Sequence, residues 1–298
     1  MSKANHVLAP QLIAPIAAEG VIYYAPGDFP DAGTAESIGL FVPGYIEHPN
    51  PDWMSSLPNL QVVQLLTIGY DYAIDHVPPG VTLCNAAGVH EQSTAELTVG
   101  AVIARWRGID RAAREMITGT WNHQRGRSLQ EARIIVIGAG GVGRRIADSF
   151  APFGCTVTLV GRTPRSGVLG AEELPSLLPR ADVVVLAVPL TEETLGMVND
   201  AFLSQLADGA LLVNVARGSV VVTEDLLAHL GRIEAVLDVV DPEPLPSDHP
   251  LWRSPHVLIT PHVGGDTDAF PRLARDLVAQ QIDRWRSGQP LANVIVAA

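Results

Sequence analysis

The sequence predicts an α/β protein built on a doubly wound parallel sheet, with a second, smaller α/β domain beside it. Two observations carry this. From about Ile134 onward, short apolar runs alternate with helix-like stretches, and the runs lack the in/out alternation of half-exposed strands. A glycine-rich turn directly follows the first of those runs and opens a helix. The length of 298 residues and a hydrophobic content of 47% allow one large core or two smaller ones.

In the second half, strands are expected at residues 134–137, 157–160, 183–188, 211–215, 235–239 and 257–259. Helices are expected between them at 143–150, 172–178, 199–205 and 223–229. Strand and helix repeating in that order build a sheet covered on both faces. Earlier in the chain, 38–42 and 62–66 read as strands of the smaller domain, which has no phosphate-binding signature. The first twenty residues, with Lys3 and an apolar stretch, imitate a leader. Pro10 and Pro15 interrupt that stretch, so a first strand and helix is expected instead. Residues 92–117 read as one long amphipathic connecting helix, 269–285 as a C-terminal helix that returns to the first domain, and 294–296 as a short apolar tail. The domains are therefore expected at 1–97 plus 268–298 and at 98–267.

Composition narrows the function classes. Charged residues make up 17% of the chain, and no low-complexity block or solenoid repeat is present, so a folded protein is expected. The net charge of -12 argues against a nucleic-acid surface, which needs clustered cations. The densest basic stretch, Arg105, Arg107, Arg111 and Arg114, suits the solvated flank of a helix. Cys84 and Cys155 are too few and too far apart for a metal site or disulfide framework, which fits a reduced, cytoplasmic compartment. The most apolar run, 183–190, is too short to span a bilayer, so no membrane partner is expected.

The clearest motif is Gly138-Ala139-Gly140-Gly141-Val142-Gly143. Its glycines allow a tight turn, close approach of a pyrophosphate and close helix–strand packing, while N–H groups at the helix start face the anion. Glycines alone mark any turn, but the preceding strand and following helix make this a dinucleotide (Rossmann) loop. Binding residues expected there are Gly138, Gly140, Gly141, Val142 and Gly143. At the end of the second strand, NAD-binding versions carry Asp or Glu for the ribose hydroxyls. Here the turn is Gly161-Arg162-Thr163-Pro164-Arg165. An ordinary Arg-rich surface turn would look the same. The position favours Arg162, Thr163 and Arg165 as holders of a 2′-phosphate, and NADP(H) over NAD(H).

From about Gly69 to Thr267 the chain resembles the D-isomer-specific 2-hydroxyacid dehydrogenases. The matching blocks are Gly69-Tyr70-Asp71, Ala95-Glu96, Gly119-Thr120-Trp121, the glycine loop, Pro189-Leu190-Thr191 and Asn214-Val215-Ala216-Arg217-Gly218. They continue with Leu237-Asp238-Val239, Glu243-Pro244 and Thr260-Pro261-His262. The Gly161–Arg165 turn looks most like that of the NADPH-linked glyoxylate and hydroxypyruvate reductases. The resemblance implies a flavodoxin-like substrate domain, a homodimer with 92–117 as a candidate contact, and an active site in the cleft between domains. It also implies catalysis by Arg217, Glu243 and His262. The chemistry suits these types: reducing a 2-oxo acid adds hydride to C2 and a proton to oxygen. His262 would supply the proton, Glu243 would hold and charge the imidazole, and Arg217 would polarise the carbonyl and orient the carboxylate.

By the same resemblance Asp238 holds the nicotinamide carboxamide, Val188, Pro189 and Thr194 line the cofactor, and Ala216 and Gly264 border its nicotinamide end. Ile68 and Gly69 would give N–H groups to the substrate carboxylate, beside Arg217 and His262. Taken singly, each residue has a plainer explanation: a strand cap for Arg217, a solvated charge for Glu243, a packed turn for His262, a core turn for Ile68 and Gly69. His229, His249 and His256 lack the context and are expected to be structural or exposed. The family pattern is broken at Gly141, often Arg, at Thr94, usually aliphatic, and at Thr223, commonly acidic. A cofactor-gated sensor of the same fold is the non-enzymatic alternative. A formate enzyme is expected to carry Gln in place of Glu243, and a phosphite enzyme a Lys in the 65–75 loop that this chain lacks.

Overall fold

The computed structural model describes residues 4–45 and 51–298, so Lys3 of the leader-like start lies outside the described residues. The chain forms two compact units, Met1–His90 with Thr267–Ala298, and Glu91–Asp266. The connecting helix thus begins the second unit instead of straddling the expected boundary at 97/98. Among the described residues no helix is long and apolar enough to cross a membrane.

The first unit holds strands β1 (His6–Pro10), β2 (Val21–Tyr24), β3 (Ile38–Phe41), β4 (Val62–Gln64) and β5 (Thr82–Cys84), plus the C-terminal strand Val294–Val296. Their order is Val294–Val296, β5, β4, β3, β1, β2, parallel except for the C-terminal strand, which runs antiparallel to β5. The helix Phe270–Ser287 buries Ala274, Val278 and Ile282 against one face. A buried amide network fixes it there. Gln281 Nε2 donates to Gln64 Oε1 at 2.8 Å and to the Ala292 carbonyl at 2.8 Å, and Gln64 Nε2 donates to the Asn85 carbonyl at 2.9 Å. Buried amides so far apart in sequence hold a register that an apolar contact would leave free to slide. The helix expected after β1 is only a single turn, Gln11–Ile13, because Pro10 and Pro15 flank it and prolines supply no N–H to extend it.

The second unit carries β6 (Arg133–Ile137), β7 (Thr156–Gly161), β8 (Leu169–Gly170), β9 (Val183–Leu186), β10 (Leu211–Asn214), β11 (Glu234–Leu237) and β12 (Val257–Ile259). They lie in the order β12-β11-β10-β9-β6-β7-β8 and are all parallel. Both faces are apolar. Ile135, Val184, Leu212 and Ala235 enter one core, while Ile134, Val183, Leu211 and Val236 enter the other. Strand order reverses between β9 and β6, which opens a crevice at their carboxyl ends. Several strands stop short of the apolar runs that predicted them: Val188, Val215 and Val239 are apolar but lie past the last paired residue.

Other expected elements are broken where proline or glycine demands it. The helix expected at 92–117 is two, α1 (Glu91–Trp106) and α2 (Ile109–Met116), because Gly108 takes φ 67° and ends the first. Arg105 is accordingly not on a solvated flank; it is nearly buried, between Asp110 and Glu234 at 2.8 Å each. Pro175 and Pro179 reduce 172–178 to a four-residue helix, Leu174–Leu177, between single 3-10 turns. Only Asp200–Leu203 is helical within 199–205, started by the Asn199 side chain, which accepts from the Phe202 N–H.

Helix α3 (Gly141–Phe150) follows the glycine turn and packs Ile146 and Phe150 into the core shared with Val102 of α1. The contact tolerates no side chain at Gly143: a Cβ there would stand 1.7 Å from the Gly138 carbonyl oxygen. Gly143→Ala must lift α3 off β6. Overpacking of this kind costs about 1–3 kcal/mol, so the unfolding midpoint of the second unit in urea should fall accordingly. A midpoint equal to wild type would show that the helix does not sit this close.

Candidate active site

Because the second sheet is wholly parallel, all its carboxyl ends share one edge, where the expected site residues of this unit collect. The glycine loop follows β6, Arg162–Arg165 follows β7, Val188, Pro189 and Thr194 follow β9, Ala216 and Arg217 follow β10, Asp238 and Glu243 follow β11, and His262 and Gly264 follow β12.

One close backbone approach joins the loops that carry Arg217 and Glu243. A Cβ at Gly218 would fall 1.8 Å from the Val240 carbonyl, so the turn after β10 lies directly on the segment after β11. Asn214, fully buried, shapes that turn: its Nδ2 donates to the Arg217 carbonyl at 2.8 Å and its Oδ1 accepts from the Ala216 N–H at 3.0 Å. The Arg217 guanidinium donates to the Ala216 carbonyl at 2.8 Å. Glu243 accepts from the Val240 N–H at 3.2 Å, and its other carboxylate oxygen lies 2.9 Å from His262 Nδ1.

His262 is placed by a buried carboxylate. Asp238 accepts from the Thr260 hydroxyl at 2.6 Å, the Val263 N–H at 3.0 Å and the Gly264 N–H at 2.9 Å, and its own carbonyl takes the His262 N–H at 2.8 Å. This clamp holds His262 at φ 52°, a left-handed backbone that a residue with a Cβ seldom adopts. Asp238 therefore organises the turn that presents the imidazole.

The electrostatics follow from the pairing. The hydrogen bond from Glu243 raises the His262 pKa above its ordinary value; burial works against this, the Glu243 charge adds to it, Arg217 opposes it and Asp238 assists. Burial pushes the Glu243 carboxyl up, but the His262 bond and charge, the Val240 amide and Arg217 outweigh it and leave the carboxyl below its ordinary value. The pair is thus biased toward imidazolium and carboxylate. Nδ1 is committed to Glu243, so Nε2 is the nitrogen left to give a proton. His229 differs: it is held between Asp200 at 2.8 Å and Arg232 at 2.9 Å and is structural.

The glycine loop fits a dinucleotide. The Gly138 N–H is tied to the Val160 carbonyl at 2.8 Å, Gly143 is sealed against Gly138, and a Cβ at Gly140 would meet nothing within 4 Å. The open side of Gly140 leaves room for a pyrophosphate to reach the first-turn N–H groups of α3, which have no partners within their own helix. The turn after β7 divides its arginines. Arg165 donates to the Ala139 carbonyl at 2.9 Å, buttressing the loop from beneath, whereas Arg162 is 82% exposed with Glu193 at 3.7 Å. Thr163 is exposed. The Thr194 hydroxyl closes its own loop, donating to the Pro189 carbonyl at 2.7 Å and accepting from the Thr191 N–H at 2.8 Å. Val188 is half-buried, Pro189 exposed, and Ala216 and Gly264 buried.

In the first unit, the carbonyls of Ile68 and Gly69 accept from Asn85 Nδ2 at 2.8 Å and the Thr67 hydroxyl at 2.7 Å. Among the described residues, no acceptor meets the N–H groups of Ile68 and Gly69, which suits the donor role expected of them.

Three residues of the site were not legible in the sequence. Asn214 looks like the end of a strand. Glu193 reaches Arg162 from the far side of the β9 loop. Glu91 stands at the glycine loop itself, its Oε1 only 2.8 Å from where a Cβ of Gly141 would be. A carboxylate thus borders the space that an arginine at position 141 would fill.

Comparison with known proteins bears on the family and the fold. Residues 99–264, more than half of the chain, match the family described as D-isomer specific 2-hydroxyacid dehydrogenase, NAD binding domain. The human glyoxylate reductase/hydroxypyruvate reductase is 32% identical over 251 residues, covering 79% of this chain and 76% of its own. A D-isomer specific 2-hydroxyacid dehydrogenase from Xanthobacter autotrophicus Py2, solved with NADPH and MES, superposes with a TM-score of 0.83 at 31% identity, covering 98% of each chain. An NADPH-dependent glyoxylate/hydroxypyruvate reductase from Sinorhizobium meliloti, solved with NADP and sulfate, gives 0.83 at 25% identity, covering 97% of this chain and 98% of that one.

A titration tests the ion pair independently of activity. Followed by NMR, His262 should titrate above an ordinary histidine, and Glu243→Gln should bring the midpoint down. A folded-state pKa that is raised means the pair's stabilisation is complete below the ordinary histidine value and is lost as pH climbs through the raised one. An unmoved midpoint in Glu243→Gln would show the residues to be uncoupled.

Proposed function

The chain belongs to the D-isomer specific 2-hydroxyacid dehydrogenase family, and from that premise we propose that it reduces small 2-oxo acids to D-2-hydroxy acids with NADPH preferred over NADH. It is an NAD(P)-linked oxidoreductase of 2-oxo acids. Glyoxylate and hydroxypyruvate are the first substrates to test, since relatives carry those names. The observation that carries the reading is the 2.9 Å contact between His262 Nδ1 and Glu243, with the Arg217 charge acting on both.

The loop from Gly138 to Gly143 would hold the pyrophosphate, with Arg162, Thr163 and Arg165 at the 2′-phosphate and Val188, Pro189, Thr194, Ala216, Asp238 and Gly264 toward the nicotinamide. Bound there, the cofactor supplies the hydride. Arg217 pairs with the substrate carboxylate and draws electron density toward the carbonyl oxygen. In the first unit, the N–H groups of Ile68 and Gly69 are the proposed donors for a substrate carboxylate. His262 delivers a proton from Nε2 to the oxygen as negative charge develops, while Glu243 holds the ring through Nδ1 and stabilises its charged form. A cofactor-gated sensor has no use for a proton donor kept charged by a dedicated carboxylate. The homodimer expected from the family is part of our reading. We take its contact to be the 92–117 region, where Ile109, Met116 and Ile117 are exposed.

His262→Ala should lose on the order of 10²-fold or more in turnover with cofactor binding intact. Reduction by wild type should decline as pH rises through the raised His262 pKa, and Glu243→Gln should move that decline to lower pH. For the cofactor, catalytic efficiency with NADPH should exceed that with NADH by about tenfold or more, the scale of one charge-assisted contact. Arg162→Ala should erase most of the difference by weakening NADPH alone. Equal efficiency with the two cofactors in wild type at low salt would overturn the NADPH preference while leaving the reductase reading standing.

A further inference from the structure

The first residue of α1 stands against the first residue of α3, both within the second unit. Packing fixes that placement. Glu91, Ala95, Thr98 and Val102 recur at helical spacing and so share one face of α1. On that face Ala95 and Val102 are fully buried, in the core that also takes Ile146 and Phe150 of α3. One turn before Ala95, the same face brings the Glu91 side chain to the start of the helix that the glycine loop opens.

The approach is close because residue 141 has no side chain. From the place that a Cβ of Gly141 would take, Glu91 Oε1 is 2.8 Å away, its Cγ 3.1 Å and its Cδ 3.4 Å. The carboxylate end of the side chain therefore lies along the first turn of α3, and the residue is half-buried there. N–H groups at a helix start attract any anion, whether it belongs to the protein or to a ligand. Glu91 thus complements the positive end of α3 and that of α1, where it is the acid of the first turn. The same end of α3 is the one the pyrophosphate would approach from the open side of Gly140. Two anions drawn to one helix end repel each other, well inside the screening distance of about 10 Å at 0.1 M salt. The exposed apolar residues taken for the dimer contact lie beyond the other end of α1, about 22 Å of helix away.

Proton and hydride transfer give Glu91 no part. We propose that Glu91 sets the affinity for the dinucleotide: its carboxylate steadies the start of α3 and, by repelling the pyrophosphate, keeps NADPH and NADH bound more loosely than the loop's own donors would hold them. The proposal rests on the glycine loop taking the pyrophosphate. A loosened grip has a use, because product release limits turnover in many enzymes.

Dissociation constants for NADPH and NADH are measured by titrating the full chain, beside the thermal midpoint of the cofactor-free protein. Glu91→Gln keeps the shape and removes the charge. It should tighten both cofactors by a similar factor, about threefold to tenfold, and lower the midpoint. Raising sodium chloride should narrow the gap from wild type. Glu91→Asp, which keeps the charge but draws it back by a methylene, should tighten binding less. The opposite signs of affinity and midpoint separate this role from a structural one, which would lower both together. A joint loss of that kind, an unchanged affinity in Glu91→Gln, or a gain confined to NADPH overturns the proposal. Gly140→Val checks the reading beneath it, since its side chain enters the open side of the loop and should abolish binding of both cofactors. If it does so while Glu91→Gln fails to tighten them, only the role of Glu91 falls. If Gly140→Val binds like wild type, the pyrophosphate is not at this loop and both readings fall.

Discussion

The active edge depends on one buried carboxylate. Asp238 lies just past β11, 4% exposed, where an unpaired charge would be prohibitive. Its burial is compensated by three donors that all come from the segment after β12: the Thr260 hydroxyl and the N–H groups of Val263 and Gly264. Removing it would leave those N–H groups without acceptors and release the left-handed backbone at His262. The carboxylate nearest the chemistry by sequence pattern therefore acts first on backbone. It converts the neighbourhood of two strand ends into a fixed direction for one imidazole.

That fixed direction makes the Glu243–His262 contact meaningful. The two side chains are about half exposed, and an ion pair on an open surface contributes little by itself. Here both partners are anchored: Glu243 by the Val240 N–H, and His262 by its backbone bond to Asp238. Anchoring removes the side-chain entropy that usually cancels such pairs. What survives is a bias in protonation state, and the proton donor of our proposed reading would need that more than it needs stability. The close contact of Gly218 with the Val240 carbonyl extends the same logic to Arg217, whose charge is felt by both members of the pair.

Much of this was legible in the chain, and the shortfalls have physical causes. The alternation of apolar runs and helical segments located the strands of the parallel sheet, because burial on both faces leaves no other pattern. It overran their ends at Val188, Val215 and Val239, since apolarity records burial while a strand ends where pairing ends. Those few residues are the loops that carry the site. The break at Gly108 had a signal, a glycine after Arg107, but the amphipathic pattern continues through it and hid the turn. Arg105 was misplaced for the same reason, its partners Asp110 and Glu234 being gathered only by the bend and by tertiary folding. Arg217, Glu243 and His262 could be named as candidates only because the blocks that hold them resemble those of the family. Asn214, Glu91 and Glu193 could not, because what they do depends on contacts between separate loops.

The glycine loop brings a charge problem that the sequence also hid. Pyrophosphate, 2′-phosphate and substrate carboxylate are all anionic, while the chain carries a net charge of -12 and sets Glu91 and Glu193 beside the cofactor loops. At an ionic strength of 0.1 M charges are screened over about 10 Å, so the distant acidic surface counts for little against what lies within the loops. At the loops themselves Arg162 and the N-terminal end of α3 oppose the two glutamates. Arg162 and Glu193 are 82% and 69% exposed and 3.7 Å apart, so their pairing is weak enough to give way. An incoming 2′-phosphate offers more charge and more acceptor oxygens than that one carboxylate. Glu193 thus holds the arginine near its station without competing seriously for it, and the NADPH preference we propose would rest on the exchange of a poor partner for a better one.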